Sequence, residues 1–249
     1  MLDLLVISAH PDDEILIAGP LIATTSSRGG SSLILCATNG EAGTGNALDL
    51  ALPDDIVTVR SRELRCAAEI LGASSVQFLG FIDGGSSGEA IGTPKLTDNI
   101  DEASARIEDL ILSSAPKVVV THSQDDPDCH PDHLAISQAT ARAVERVRTR
   151  LPNQPDFYFS AFPDAARRHI VAQGGSLSQA EVADRLAPSL TAPTGCDLEI
   201  AITPEIRLQL LRSISCHGSQ ARSLEPLRSL LLSEQDRLAL GFNLAPLSS

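Results

Sequence analysis

Two short stretches of the 249-residue chain concentrate side chains that bind metals and move protons: Ala9-His10-Pro11-Asp12-Asp13-Glu14, and the longer run from His122 to His133 that ends His130-Pro131-Asp132-His133. In the first, an imidazole and three carboxylates crowd into a turn between the apolar runs Leu4 to Ile7 and the one beginning at Ile15. Groups crowded in this way repel or stay unpaired unless a cation gathers them, and a divalent metal is the simplest such cation. A proline turn whose Asp side chains merely cap the next helix accounts for one carboxylate, but not for four ionisable groups together. In the second stretch His130 and His133 are three apart, so in a first helical turn both face one side, and Pro131 suits a helix start. A solvated acidic loop with incidental histidines is the alternative there, since three of the six histidines of the chain lie in this run.

Both clusters follow a strand-like run. Residues 3 to 9 read as a strand and Glu14 to about Thr25 as a helix, weakened at Gly19-Pro20. A second strand over 32–38 runs into the glycine-rich Asn39 to Gly45, which has neither the Walker spacing nor a full Gly-x-Gly-x-x-Gly pattern, so nucleotide binding is not expected. A helix over 58–71 closes at Gly72, a strand follows over 76–79, and 80–98 is a long loop containing Asp83-Gly84. A helix over 99–113 precedes the strand 117–121. Strands alternating with helices predict right-handed parallel βαβ units, whose ligands sit at the carboxyl ends of the strands. His10, Gly40, Asp83 and His122 then fall near one edge. Beyond residue 150 the sequence predicts strands at 157–159 and 198–202, a helix over 204–215, and a peripheral helix and tail in the last 25 or so residues.

Composition narrows the partners. A hydrophobic share of 43%, with 3% aromatic residues and no Trp, predicts one core of Leu, Ile, Val and Ala. A formal charge of −13, from 32 acidic and 19 basic residues, argues against nucleic acid or an anionic membrane surface and favours a neutral or cationic small molecule. Five cysteines, none in a Cys-x-x-Cys pair, and a chain that opens into strand-like sequence without a basic leader predict reduced thiols and a cytoplasmic location. No apolar run reaches the roughly 18 residues needed to span a bilayer.

The motifs His10 to Glu14 and His130-x-x-His133, in this order and each after a strand, resemble those of the zinc-dependent N-acetylglucosaminyl de-N-acetylases, the LmbE-like or PIG-L-like proteins. Smaller likenesses are Thr38 to Gly43, Arg60-x-x-Glu63-Leu64, Asp83-Gly84 and His217-Gly218-Ser219-Gln220. The resemblance implies a single-domain, three-layer α/β/α fold over 1–249, mostly parallel and Rossmann-like. Its core would lie at about 1–150, with substrate-side and peripheral elements over 151–249. It also implies one zinc ion, or iron(II), bound by His10, Asp13 and His133, with Asp12 as general base and His130 facing the developing oxyanion and, when protonated, giving a proton to the departing amine. Arg60 and Asp83 match positions that contact sugar hydroxyls, the alternative being a helix-start cation and a turn carboxylate. Glu14 would orient a ligand or sit at the helix start. His217 and Gln220 would close a pocket wall or be plain surface residues, and Cys129 and His169 are expected to be bystanders. The implied activity is removal of acetate from an N-acetylated amino sugar. An amidase acting on a larger thiol-sugar conjugate, a silent sugar- or metal-binding protein and a metal phosphoesterase are the alternatives, and a homo-oligomer is compatible with all of them.

Overall fold

A computed structural model describes residues 1–43, 55–85, 92–124, 130–161, 196–233 and 239–244. Strands β1 (Leu4–Ser8), β2 (Ser32–Thr38), β3 (Ser75–Phe81), β4 (Val118–Thr121) and β5 (Asp156–Ala161) are all parallel. Helices α1 (Asp13–Ser27), α2 (Ile56–Leu71), α3 (Ile100–Ser114) and α4 (Pro131–Val147) connect or follow them. Strand β6 (Leu198–Ala201), helix α5 (Pro204–Cys216), a 3₁₀ turn (Gly218–Gln220), helix α6 (Ala221–Leu232) and strand β7 (Ala239–Leu244) complete the fold. The sheet order is β3-β2-β1-β4-β5-β7-β6, with β7 antiparallel to both its neighbours.

The helices cover both faces of this sheet, as the α/β/α reading requires. Along β1, Leu4 and Val6 pack into one core with residues of α1, α2, α5 and α6, whereas Leu5 and Ile7 pack into a second with α3 and α4. A strand buried on both faces needs apolar residues at every position, and this is why β1 and β4 read as continuous apolar runs in the sequence. Leaving the centre of the sheet, the chain exits β1 and β4 at their carboxyl ends into the two stretches rich in His and Asp.

Three expectations are corrected. Gly19-Pro20 does not weaken α1, which runs through to Ser27 with Pro20 inside it. Leu210 of α5 packs so close that a Cβ at position 19 would lie 2.6 Å from its Cδ2, so Gly19 is a contact point between helices and not a breaker. The carboxyl-terminal segment is not peripheral throughout: β7 inserts between β5 and β6, and Leu240 and Phe242 are buried in the first core. Finally, Cys66 of α2 and Cys216 of α5 form a disulfide across a separation of 150 residues. Cysteine usage therefore no longer argues for reduced thiols or a reducing compartment. Cys129 and His169 lie outside the described residues. Among the described residues no helix is long and apolar enough to cross a membrane.

Candidate active site

The turn between β1 and α1 places His10, Asp12 and Asp13 at the carboxyl end of the central strand, and the first turn of α4 brings His130 and His133 to the same point. His130 is the residue that caps α4: its Nδ1 accepts the Asp132 backbone N–H at 3.2 Å, while Pro131 takes the first helical position. Asp13 opens α1, and its Oδ2 accepts the His10 backbone N–H at 2.7 Å, which folds the turn onto itself.

His10 Nδ1 is 3.4 Å from Asp13 Oδ2, His133 Nε2 is 3.4 Å from Asp13 Oδ1, and the two imidazole nitrogens are 3.3 Å apart. Donors about 2.0–2.1 Å from a tetrahedral ion lie roughly 3.4 Å from one another, a separation that each of the three pairs has, with Asp13 meeting His10 through Oδ2 and His133 through Oδ1. The cluster of His10, Asp13, His122, His130 and His133 could thus hold a metal ion, and the donor chemistry of His10, Asp13 and His133 suits one. His122 also lies within reach, its Nε2 3.3 Å from Asp13 Oδ2. That nitrogen already accepts the Ala9 backbone N–H at 3.1 Å, which favours His10 over His122 as the third ligand.

Sequence reasoning assigns Asp132 no role, yet it is fully buried and its Oδ2 lies 3.3 Å from His10 Nε2, the nitrogen turned away from the metal set. The same oxygen accepts the Gly84 backbone N–H at 2.9 Å. A carboxylate behind a ligating imidazole fixes its tautomer and orientation. The signal was present in His130-Pro131-Asp132-His133, but only the fold shows which imidazole the carboxylate serves. Asp83 shares this task, with Oδ1 3.4 Å from His10 Nε2, and its carboxylate also accepts the N–H groups of Gly85 and Ala42 at 2.8 and 3.3 Å.

Asp12 is not part of the ligand set. Its carboxylate lines the pocket and its Oδ1 is 3.2 Å from Arg60 Nη2, while burial pushes its carboxyl up to about 6 despite the Arg60 charge. Arg60 itself is 3% exposed. Its Nη2 donates to Pro11 O at 2.6 Å and its Nη1 to Gly40 O at 2.9 Å. Arg60 therefore ties the turn between β1 and α1 to the loop after β2 as well as lining the pocket. Gly40, at φ 72°, makes room for it: a Cβ there would lie 2.2 Å from Nη1. His130 also lines the pocket, its ring 4.6 Å from that of His10 and 4.9 Å from that of His133. Because its Nδ1 accepts a backbone N–H, the proton of the neutral ring sits on Nε2, and burial beside His10 and His133 pulls the imidazolium down to about 4.

The expectation of plain surface residues fails for His217 and Gln220. Both are buried, His217 against Glu14 with Nε2 2.8 Å from Oε1, and Gln220 with Nε2 donating to Gly43 O at 2.8 Å. Of the two only Gln220 lines the pocket, and behind it Glu63 accepts from the Ser219 backbone N–H and hydroxyl at 2.7 and 2.6 Å. The pocket has a volume of about 270 Å³ and is lined by His10, Asp13 and His133 together with the apolar Leu16 and Leu224 and the polar Arg60, Asp83 and Gln220.

These features define a class: an α/β protein with a metal-competent pocket at the carboxyl edge of a mostly parallel sheet. The chain belongs to the PIG-L family, whose GlcNAc-PI de-N-acetylase model matches residues 5–144, more than half of its length and a span that includes His10, Asp13 and His133. A 1D-myo-inositol 2-acetamido-2-deoxy-alpha-D-glucopyranoside deacetylase of Kineococcus radiotolerans is 33% identical over 159 residues, 57% of this chain. The match spans only 44% of that relative's length. Among solved structures, N,N'-diacetylchitobiose deacetylase from Pyrococcus horikoshii superimposes with a TM-score of 0.64 at 17% identity, covering 98% of this chain and 84% of that one. The 4-carboxy-2-hydroxymuconate hydratase of Pseudomonas putida gives 0.66 at 20% identity, covering 98% and 95%. A deacetylase and a hydratase share this fold, so the fold alone does not select the reaction.

Proposed function

We propose that the protein is a metal-dependent hydrolase that removes acetate from an N-acetylated amino sugar of the N-acetylglucosaminide type. The observation that carries this reading is Asp12: a buried carboxylate beside the His10, Asp13 and His133 set, outside it, and facing the same pocket. An amide is a poor electrophile with a poor leaving group, so its hydrolysis needs a strong nucleophile, polarisation of the oxygen and a proton for nitrogen. A divalent ion held by His10, Asp13 and His133, zinc by the donor set with iron(II) as the alternative, would supply a Lewis acid and an acidified water.

The remaining work falls to the chain itself. Asp12 accepts the proton of the attacking water, and its raised carboxyl suits the later return of that proton to the departing nitrogen. His130 presents Nε2–H to the developing oxyanion as a neutral donor. Arg60 keeps the Asp12 carboxylate in place, and Asp83 and Gln220 offer polar contacts for sugar hydroxyls along one wall. The deacetylase named among the relatives acts on a 2-acetamido-2-deoxyglucopyranoside, which agrees with a small, neutral, hydroxyl-rich substrate in this acidic protein.

A panel of N-acetylglucosaminides, with inositol, thiol-conjugate and chitobiose aglycones, tests the proposal. Equal release of acetate and free amine from at least one member is expected. Metal-loaded protein that releases neither from any of them would overturn it, and release of a longer acyl fragment instead would mark the enzyme as an amidase of larger conjugates.

A further inference from the structure

Beneath the Asp12 turn lies a pair of ionisable groups that the chemistry above does not use. Glu14 and His217 are both fully buried and meet at 2.8 Å, although they come from the start of α1 and the end of α5, 203 residues apart. Glu14 spends its other oxygen on the turn: Oε2 accepts the backbone N–H of Asp12 at 3.0 Å. Asp12 needs such a hold, because its backbone sits at φ 130°, ψ −24°, a region that a residue with a Cβ seldom enters unless its surroundings impose it.

The chain of contacts therefore runs from α5 through His217 and Glu14 to the peptide of Asp12, while Arg60 holds the same residue by its carboxylate. Neither Glu14 oxygen is directed to a metal ligand, which sets aside the expectation that Glu14 orients one. A buried carboxylate without a donor is costly and would turn toward any available N–H. His217 supplies that donor to Oε1 and so leaves Oε2 committed to Asp12. His217 is in turn fixed by its backbone, its N–H donating to Ile214 O and its carbonyl accepting from Gln220 N–H.

We infer that Glu14 and His217 act together as positioning residues for Asp12, holding it in its strained backbone conformation so that the carboxylate faces the pocket. The inference rests on Asp12 being the base of the proposed hydrolysis, but its geometric content does not. Crystal structures and kinetics of Glu14→Ala are the test, with Glu14→Gln as the conservative variant, since an amide oxygen still accepts an N–H. In Glu14→Ala, Asp12 is expected to relax to negative φ while one metal per chain is retained. Against the best substrate, kcat should fall about 10–100-fold with KM changed less than about twofold, the signature of a misplaced group and not of lost binding. Glu14→Gln should restore positive φ and at least about tenfold of the lost turnover. Should Glu14→Ala not fold, His217→Leu removes the donor at similar volume and reads the same two quantities. Positive φ at Asp12 with undiminished kcat in the folded, metal-loaded variants would overturn the inference. A relaxed Asp12 in a protein whose wild type hydrolyses no N-acetylated sugar would instead leave the positioning intact and refute the proposed reaction.

Discussion

Asp12→Asn is expected to keep its full complement of metal and to lose at least about 10²-fold in turnover, the usual contribution of a well-placed general base. The substitution is close to isosteric. Its backbone N–H still reaches Glu14, and its side-chain oxygen can still meet Arg60, so neither the strained turn nor the His10, Asp13 and His133 set should move. Only the ability to accept and return a proton is removed. Metal analysis alongside acetate release separates the possibilities, and full activity in the metal-loaded variant would refute the role given to Asp12. His10→Ala is the contrasting case. It deletes one of three ligands and also strips Asp13, Asp83 and Asp132 of the imidazole that faces all three carboxylates. Metal loss is expected there, and near-stoichiometric metal in a folded His10→Ala protein would sink the ligand assignment.

Features that depend on local order were readable in the sequence. The parallel strands read as apolar runs because β1 and β4 are buried on both faces, and the helix stop at Gly72 read correctly because its φ of 79° suits glycine. His10 with Asp13, and His130 with His133, each sit within a single turn, so spacing alone grouped them. Contacts that depend on the closed fold left no such mark. Asp132 serves His10 across 122 residues, Glu14 meets His217 across 203, and Gly19 is explained only by Leu210. Strand β7 escaped notice because six residues that include Gly241 and Asn243 carry little strand signal by themselves. The disulfide escaped for a related reason: an odd cysteine count without close pairs argues against local metal or redox motifs but is silent about partners far apart in the chain.

That disulfide leads to the second large expected effect. Cys66 and Cys216 close a loop of 150 residues, and in the chain-entropy account a cross-link of that span restricts the unfolded ensemble by about 4–5 kcal/mol, with measured values commonly about 2–4. The paired double variant Cys66→Ser, Cys216→Ser is therefore expected to unfold at lower denaturant, with stability reduced by about 2–4 kcal/mol. Reduction of the wild type should do the same, since Cys66 lies on the exposed side of α2 where a small reductant reaches it. Denatured, unreduced protein should also titrate two fewer thiols than after reduction. Equal thiol counts, or a stability loss below about 0.5 kcal/mol, would show that the bridge does not form or does not matter. Activity well below the unfolding temperature should change little. Glu63 of α2 is also tied to Ser219 in the 3₁₀ turn that follows α5, and Gln220 of that turn reaches Gly43. These bonds keep the wall closed in the native state, whereas the cross-link acts chiefly on the chain once it has unfolded.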